Sequence, residues 1–405
     1  MGDVSDINNY QFCEQIGHGA YADVFHGIHK ITQQDVAIKV INLDTITEDD
    51  EICLVREVTA LLQVDHPNIV YTFEYILNEN RLYIISEYIN GGMILTKVND
   101  MHGLSESQAR SYFNDVLSAI NYLHRSRLIC HRDIKLQNIL ISKTGSAKLI
   151  DFGFCNSNNF LRSFNSFVGT PGFTAPEVVD GVDYDNSCDI FSLGICLYAM
   201  VVGKVPIDLQ NKNSKLIRDQ VNAIEYPPTM SPLLVELIKK MVNPNPKLRI
   251  KLEEIIRHPW VRMENFRQDR YEVRKCPIDL GAITSIDELT NVRRKPQVII
   301  AKNILHYIGS LGYDVHKIQN DVQRGEITPE SAAFWIAVKN NIAPPDECHK
   351  VKKCFCTSLP ISANGHTMKD KSRQRLPQLR IPHPNGPISQ RNITPTGTYT
   401  KRLRF

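Results

Sequence analysis

The sequence predicts an α+β fold in which a β-rich part is followed by a helical part, a small three-helix unit and a basic tail. Short β-like runs separated by turns fill residues 10–90, whereas apolar residues at helical spacing dominate from about residue 104. After about residue 343 the composition shifts to Pro, Ser, Thr, Asn, Arg and Lys, which is typical of a disordered segment. These observations divide the chain into a folded body and an unfolded end.

Four β-like runs and one helix are predicted in the first 90 residues. The runs are YQFCEQIG, YADVFHGIHK, QDVAIKVINL and RLYIISEYI. Between the third and the fourth lies EDDEICLVREVTALLQVD, in which the apolar residues have helical spacing. We therefore expect a sheet accompanied by one long helix.

Helices are predicted for the rest of the body, up to HPWV at 258–261. Ser105 and Gln108 form a capping-box pair in front of an apolar helical stripe. The segment CDIFSLGICLYAM at 188–200 is apolar on nearly every side, which indicates a helix buried inside a helical domain.

A charged connector at about 262–294 precedes three predicted short helices. They are VIIAKNILHYIGSLGY, DVHKIQNDVQRG and TPESAAFWIAVKN. Gly325 is expected to end the second helix, and Thr328 is expected to cap the third, with Pro329 as its first residue. Together they predict a minimal helical bundle at about 295–342.

The composition favours a soluble globular protein with a full core. Of the 405 residues, 42% are hydrophobic and 22% are charged. There is no run of about 18 apolar residues that would span a bilayer, and the first residues lack the pattern of a secretory signal. We expect a cytoplasmic protein. The ten cysteines have no paired CxxC spacing, which favours reduced thiols over a zinc site or a disulfide framework.

The charge is unevenly distributed. Residues 346–405 carry twelve Lys and Arg against three Asp and Glu, a net charge of +9, which leaves about −6 for the rest of a chain whose total is +3. A basic tail can contact anionic lipid, nucleic acid or an acidic protein, although a solvated disordered end is the common alternative. Membrane contact through this tail is therefore an open hypothesis, and we expect no nucleic-acid partner.

The stretch IGHGAYADVF at 16–25 places Gly17 and Gly19 between two strand-like runs. A hairpin there could close over a ligand with its backbone amides facing phosphate oxygens. The strand–turn–strand context argues against a dinucleotide-binding turn, which needs a helix after the turn. Taken alone, the pattern is more often that of a plain β-turn.

A lysine on the third β-like run and a glutamate on the following helix form the second candidate group. In Val36-Ala37-Ile38-Lys39 the period of a strand places Ala37 and Lys39 on one face. A lone strand lysine is usually solvated. Brought together, however, Lys39 and Glu57 could hold nucleotide phosphates in a fixed place.

The loop HRDIKLQNIL at 131–140 combines residues suited to phosphoryl transfer. Asp133 can accept a proton from an incoming hydroxyl, and Lys135 can offset charge on a transferring phosphoryl group. The amide oxygen of Asn138 can ligate a hard divalent ion. The alternative is a polar loop with an Arg–Asp pair.

Two triplets follow downstream. Asp151-Phe152-Gly153 comes after the apolar run AKLI, and its carboxylate can bind magnesium. Ala175-Pro176-Glu177 comes later. Each triplet is unremarkable alone, so the order of all the motifs decides the interpretation.

The motifs in this order, over about residues 10–261, resemble the signature of eukaryotic protein kinases. The resemblance implies a bilobal protein kinase fold, with an N-lobe at about 10–88 and a C-lobe at about 89–261. It also implies ATP and Mg²⁺ as cofactors and in-line transfer of the γ-phosphoryl group to protein substrates.

The resemblance also implies a role for each motif residue. Asp133 would be the catalytic base, Lys135 would act beside it, and Asn138 and Asp151 would hold magnesium. The residues implied in catalysis through phosphate positioning are Lys39 and Glu57. The residues implied in ATP binding are Ile16, Gly17, Gly19, Val24, Ala37, Lys39, Ser86, Glu87, Ile89 and Leu140. The implied structural pairs are Glu177 with Arg249, and Asp189 with the HRD loop.

Lys135 and Thr170 resemble the pattern of serine/threonine kinases, in which Thr170 would bridge Asp133 and Lys135. HPNIV, the NGG turn and HPW resemble the calcium/calmodulin-dependent kinase group. The unit at 295–342, with LGY at 311–313, resembles the ubiquitin-associated-like (UBA-like) domain of the AMP-activated and microtubule-affinity-regulating kinases. That resemblance implies a contact between the unit and its own kinase domain. A generic helical bundle is the alternative.

Ser166 stands where these kinases carry an activating threonine. The resemblance implies that an upstream kinase could phosphorylate it and that Arg132 would bind the phosphate. In the substrate-reading positions Met93 and Gln137 replace two glutamates, so we expect a weaker demand for Arg before the target residue.

Two other classes of function stay open at this point. A pseudokinase-type scaffold would bind nucleotide without turnover, and the complete set of polar motif residues argues against it. In the other class the basic tail is the main effector and tethers the kinase to a membrane or a protein.

Overall fold

The computed structural model describes residues 7–19, 22–151, 172–181, 185–208, 213–263, 266–273, 275, 276, 278, 279, 281, 283–295 and 300–340. Phe152, Gly153, Ser166 and Thr170 lie outside these described residues, and so does the basic tail from 341 onward.

The N-terminal lobe contains an antiparallel sheet of five strands in the order β1-β2-β3-β5-β4. The strands are β1 Tyr10–His18, β2 Ala22–His29, β3 Gln34–Asn42, β4 Thr72–Asn78 and β5 Arg81–Glu87. The predicted long helix is α1, Glu48–Gln63, which begins with a capping box between Thr47 and Asp50.

Strand β4 was not among the predicted runs. The hairpin that joins it to β5 turns at Glu79, whose φ is +51°. Glycine or asparagine is the usual residue in this left-handed conformation. Because the turn uses a glutamate there, its sequence lacks the glycine signal that would have separated two strands.

The C-terminal lobe is mainly helical, as predicted. Its helices are α2 Ile94–Met101, α3 Glu106–Asn121, α4 Pro176–Val179, α5 Ser187–Val202, α6 Ser214–Asn222, α7 Pro232–Met241, α8 Leu252–Arg257 and α9 Pro259–Arg262. The capping box of Ser105 and Gln108 opens α3. All residues of α5 from Cys188 to Met200 are buried, because the helix runs through the core of the lobe.

A two-stranded sheet lies where the two lobes meet. It consists of β6, Ile139–Ile141, and β7, Ala147–Leu149. Isolated bridges tie β7 to Ile69 and β6 to Met93. This small sheet positions the loop before β6, which carries His131, Arg132 and Asp133, and the residues Ile150 and Asp151 that follow β7.

The three-helix unit contains α10 Lys302–Ser310, α11 Val315–Arg324 and α12 Pro329–Lys339. Gly325, with φ of +72°, ends α11, and Thr328 caps α12, both as predicted. Helix α10 is shorter than its predicted segment. It ends at Ser310 because the chain reverses at Gly312, where φ is +97°.

The unit packs on the sheet of the N-terminal lobe. Trp335 of α12 lies 5.7 Å, between ring centroids, from Tyr71 just before β4. Buried residues of the sheet and of all three helices form one apolar cluster. Within the described ranges, no helix is both long and apolar enough to cross a membrane.

Candidate active site

Lys39, Glu57 and Asp151 meet between the lobes, although Lys39 is in β3, Glu57 is in α1 and Asp151 is the second residue after β7. Lys39 Nζ donates to Glu57 Oε1 at 3.1 Å and to Asp151 Oδ1 at 3.0 Å. In the sheet, Lys39 of β3 is paired with Val24 of β2 and with Ile84 of β5. The register of β3 against these two strands therefore fixes the position of the Lys39 side chain.

The charges of this group reinforce one another. Burial disfavours the ammonium, but the carboxylates of Asp151 and Glu57 outweigh it and raise the pKa of Lys39. In return, Lys39 lowers the pKa of Asp151 against the effect of burial. At neutral pH the site therefore holds one fixed cation between two carboxylates.

Asp133, Lys135 and Asn138 form a second cluster. Asp133 Oδ2 lies 2.7 Å from Lys135 Nζ and accepts from Asn138 Nδ2 at 2.9 Å. The same Nδ2 donates to the backbone oxygen of Asp133 at 2.9 Å. The amide oxygen of Asn138 therefore points away from Asp133. A hydrogen bond of 3.0 Å from Ile150 N to the Asn138 carbonyl oxygen holds this loop beside Ile150 and Asp151.

Asp189 of α5 holds the start of this loop, at His131 and Arg132, through hydrogen bonds to its carboxylate. It is fully buried, and its carboxylate accepts from the backbone amides of His131 and Arg132, both at 2.8 Å. His124 Nε2 lies 2.7 Å from the same carboxylate. Burial alone would raise the pKa of Asp189, but these hydrogen bonds and charges lower it to about 2.

Two residues of the site have strained backbones. Arg132 has φ of +69° and Asp151 has φ of +49°. Such conformations cost free energy in non-glycine residues and cluster at functional sites. The hydrogen bond from Arg132 N to Asp189 and the ion pair of Asp151 with Lys39 hold both residues in place.

The residues expected around the adenine lie on neighbouring elements. Val24 and Lys39 are directly paired across β2 and β3, and Ala37 shares the face of Lys39. Ser86 Oγ lies 3.5 Å from the Ala37 carbonyl oxygen. Leu140 is in β6, and Glu87 and Ile89 lie at and beyond the end of β5. Ile16 is 45% exposed, which suits an apolar side chain at the rim of an open cleft.

Gly17 and Gly19 lie at the tip of the β1–β2 hairpin. Gly17 pairs with Val24, and Gly19 N donates to Ala22 O at 2.8 Å. A Cβ on Gly19 would lie 3.3 Å from that carbonyl oxygen, so the close approach of the two strands favours glycine. Ala20 and Tyr21, at the turn, lie outside the described residues.

Glu177 and Arg249 form a buried bidentate pair, with N–O distances of 2.6 and 3.0 Å. The Arg249 guanidinium also donates to the Ser187 carbonyl at 2.9 Å. This pair joins α4 to the chain just before α8 and so holds α4 against the rest of the C-terminal lobe.

Sequence reasoning missed two functional contacts. His124, from the turn after α3, was not singled out, because its partner Asp189 is 65 residues away. Lys148 Nζ lies 2.7 Å from Glu87 Oε2, so the Glu87 side chain ties the end of β5 to β7. Lys148 lies in the apolar run AKLI and Glu87 in the run RLYIISEYI, but neither run specifies that these two residues pair.

Comparisons with known proteins identify the family of this chain. The protein kinase domain model matches residues 10–261. The SNF1-related protein kinase catalytic subunit alpha KIN12 of Arabidopsis thaliana is 28% identical over 367 residues, which cover 88% of this chain and 71% of that protein. The serine/threonine-protein kinase kin-29 of Caenorhabditis elegans is 35% identical over 261 residues, 64% of this chain and 32% of its own. Sperm motility kinase 3A of Mus musculus is 35% identical over 400 residues, 98% of this chain and 74% of that protein.

Proposed function

Because the chain belongs to the protein kinase family and is a serine/threonine protein kinase, we propose that it transfers the γ-phosphoryl group of ATP to Ser and Thr hydroxyls of protein substrates. The observation that carries this proposal is the convergence of Lys39, Glu57 and Asp151 through two ion pairs. A second cluster around Asp133 completes the set of polar groups that phosphoryl transfer needs.

The donor atoms beside this cluster suit magnesium. Asp151 offers a carboxylate, and Asn138 offers the amide oxygen that its hydrogen bonds to Asp133 leave facing away. Mg²⁺ prefers oxygen ligands of this kind. Bound there with ATP, the ion would neutralise charge on the phosphates.

Asp133 is suited to orient the attacking hydroxyl and accept its proton. Lys135 and Asn138 both contact Asp133 Oδ2, so the carboxylate has a fixed direction before substrate binds. Fixed positions and charges supply most of the catalysis in such a reaction. Lys39, which is held by Glu57, is placed to bind the phosphates of ATP. The aliphatic residues of β1, β2, β3 and β6 are placed to hold the adenine.

The test is phosphoryl transfer by the full-length chain with ATP, magnesium and a degenerate Ser/Thr peptide library. We expect Asp133→Asn to lower kcat by about 10²–10⁴-fold, the usual contribution of a general base. Asp100→Asn, at an exposed position of α2, is the matched control and should keep wild-type turnover. A nucleotide-binding scaffold would instead bind ATP and release no phosphopeptide in either variant.

The same library reports substrate class and flanking preference. Phosphate should appear on Ser and Thr only. We expect little selection for Arg before the target residue, because Met93 and Gln137 offer no charge there. Strong Arg selection would contradict this expectation.

Ser166 is our candidate for a regulatory phosphosite, with Arg132 as the partner of its phosphate and Thr170 as a bridge between Asp133 and Lys135. Arg132 is already placed beside Asp189 by its backbone, so its position does not depend on the phosphate. We therefore propose that the enzyme is active at a reduced level before phosphorylation by an upstream kinase. A Ser166→Ala protein without residual activity would contradict this.

We propose that residues 295–342 are a UBA-like domain that works by contact with its own kinase domain. The apolar cluster shared by α10, α11 and α12 with the five-stranded sheet supports this. An ion pair also supports it: Lys339 Nζ lies 2.7 Å from Oδ1 of Asp65, which is two residues beyond the end of α1. The Trp335→Ala variant described below tests the contact.

A further inference from the structure

We propose that the N-terminal lobe has a binding site for a divalent transition metal, with Zn²⁺ as the fitting ion, formed by Cys13, Glu14 and His26. One ligand atom of each residue lies within 4.8 Å of the other two. The site is on the β1–β2 hairpin and shares no residue with the proposed active site.

A β-bulge brings these three residues together. Phe12 pairs with Gly27 and Gln15 pairs with Phe25, so Cys13 and Glu14 both face the single residue His26. In a regular strand, two consecutive side chains would point to opposite faces. The extra residue of a bulge bends the strand and redirects a side chain. The sulfur, the carboxylate and the imidazole can therefore converge.

The separation of the nitrogen donor of His26 and the oxygen donor of Glu14 suits one ion. His26 Nδ1 lies 3.2 Å from Glu14 Oε1. Two ligands of a tetrahedral zinc at about 2.0–2.1 Å from the metal would be roughly 3.3 Å apart. His26 Nδ1 is buried and faces Glu14 Oε1, without the geometry of a regular hydrogen bond between them, and this arrangement leaves the nitrogen lone pair directed at the position of a shared ion.

The second ring nitrogen of His26, Nε2, has a carboxylate partner, as the second nitrogen of a metal-bound histidine usually does. His26 Nε2 lies 2.8 Å from Asp35 Oδ1 of β3. A carboxylate that accepts from the second ring nitrogen sets the tautomer and makes the ligand more basic. Tyr88 stacks on the ring with centroids 4.5 Å apart, which fixes its plane.

The donor set selects the class of ion. One thiolate, one imidazole and one carboxylate suit zinc or a similar borderline ion, whereas magnesium prefers oxygen alone. Three protein ligands leave one position for water, and the 66% exposed side chain of Glu14 provides a path from solvent. A second group of similar atoms, His124, Cys130 and Asp189, is fully buried, and its atoms already bond to one another.

The simpler alternative is an ion-pair cluster without metal. His26 would then be protonated between Glu14 and Asp35; burial opposes this charge, but both carboxylates raise the pKa of His26. Metal binding and protonation compete for the same nitrogen. The two descriptions therefore differ in whether these three residues bind metal that is added near neutral pH.

The test is titration of the full-length chain with Co²⁺, a spectroscopic substitute for Zn²⁺, in excess Mg²⁺. The background carries Cys348→Ser, Cys354→Ser and Cys356→Ser, so that thiols of the tail do not contribute. We expect one equivalent of Co²⁺ to produce a sulfur-to-cobalt charge-transfer band, which Zn²⁺ then removes. Cys13→Ser should abolish the band, and Asp35→Asn should weaken affinity by about 10–100-fold, the usual effect of losing such a partner.

Matched controls separate this site from others. Cys276→Ser removes a thiol elsewhere on the surface and should leave the band unchanged. Asp133→Asn should also leave it unchanged, so failure of the proposed kinase reaction and failure of the metal site are distinguishable. If Cys13→Ser does not fold, Glu14→Gln at an exposed side chain replaces it and should weaken binding.

Two results would overturn the proposal. One is an absence of the band in the background protein, which would leave the ion-pair cluster as the description of these residues. The other is a band that survives both Cys13→Ser and His26→Gln, which would place the metal on different thiols.

Discussion

Asp189 illustrates how a single buried carboxylate organises the loop that begins at His131. Its two oxygens accept from the amides of His131 and Arg132 and contact His124, so no part of its charge is left uncompensated. Burial would favour the protonated form, yet the hydrogen bonds keep its pKa at about 2. The loop is therefore anchored throughout the range in which the enzyme would work.

Glu177→Ala should destabilise the protein strongly. The variant leaves the Arg249 guanidinium, whose side chain is 0% exposed, as a buried charge without its carboxylate. Breaking such a pair costs about 3–5 kcal/mol. Urea unfolding followed by circular dichroism would measure the loss in the free energy of unfolding.

Asp180→Ala provides the comparison for that measurement. Asp180 pairs with Arg218, but both side chains are about a third exposed. Partly solvated pairs of this kind contribute about 0–1 kcal/mol. If Glu177→Ala and Asp180→Ala lower the free energy of unfolding equally, burial does not explain the strength of the Glu177–Arg249 pair.

The contact between α12 and the start of β4 is a compact set of aromatic and cationic groups. The ring of Tyr71 has Arg294 at 4.8 Å, Lys339 at 4.2 Å and Trp335 at 5.7 Å from its centroid. Arg294 also donates to the backbone oxygens of Thr72 and Phe73. The amide of Glu87, at the end of β5, bonds in turn to the Tyr71 carbonyl at 2.8 Å. Tyr71 thus links the three-helix unit to the connection between the lobes.

Trp335→Ala should loosen the three-helix unit from the sheet. Removing a buried tryptophan costs about 3–5 kcal/mol, since packing and burial are lost together. We expect faster hydrogen exchange in β4 and α12, with α5 unchanged because it lies in a separate cluster.

Lys317→Ala is the matched control in the same unit. Its ammonium pairs with Glu330, but its side chain is 52% exposed. Exchange in β4 should then match the wild type. Uniformly faster exchange across both lobes in Trp335→Ala would indicate global destabilisation instead of local release.

The boundary between kinase lobe and three-helix unit also holds a titratable group. Glu74 of β4 is 5% exposed and accepts from Tyr10 Oη at 2.5 Å. Burial raises its pKa from 4.5 to about 7, with the charge of Glu330 adding to the effect and Tyr10 and Arg294 opposing it. The folded protein therefore binds a proton here that the unfolded chain releases above its lower pKa.

The sign of the resulting pH dependence follows from this difference. Stability from protonated Glu74 is present below pH 4.5 and is lost as pH rises through about 7. Glu74→Gln keeps the acceptor for Tyr10 and has no proton to lose. We expect the variant to gain stability relative to the wild type between pH 5 and pH 8, by an amount on the order of 3 kcal/mol at most. Urea unfolding at the two pH values measures this, and a constant difference between the proteins would contradict it.

Local signals in the sequence were enough to predict where α3 and α12 begin, where α11 ends and the order of the motifs, although α10 ends earlier than predicted. The capping residues Ser105 and Thr328 and the terminating Gly325 act within one turn of the backbone, so their effect is readable from neighbouring letters. Strand β4 was missed for the complementary reason, since its turn lacks the usual glycine.

Contacts between distant segments could be expected only by resemblance or not at all. The resemblance anticipated Lys39 with Glu57, but neither it nor the residues anticipated Tyr71 between Arg294 and Lys339. The cysteine spacing argued against a zinc site, yet a bulge sets Cys13 and Glu14 opposite His26. Caps and turns depend on a few adjacent residues, whereas strand register and packing depend on the whole folded chain, and so only the tertiary structure decided which side chains meet.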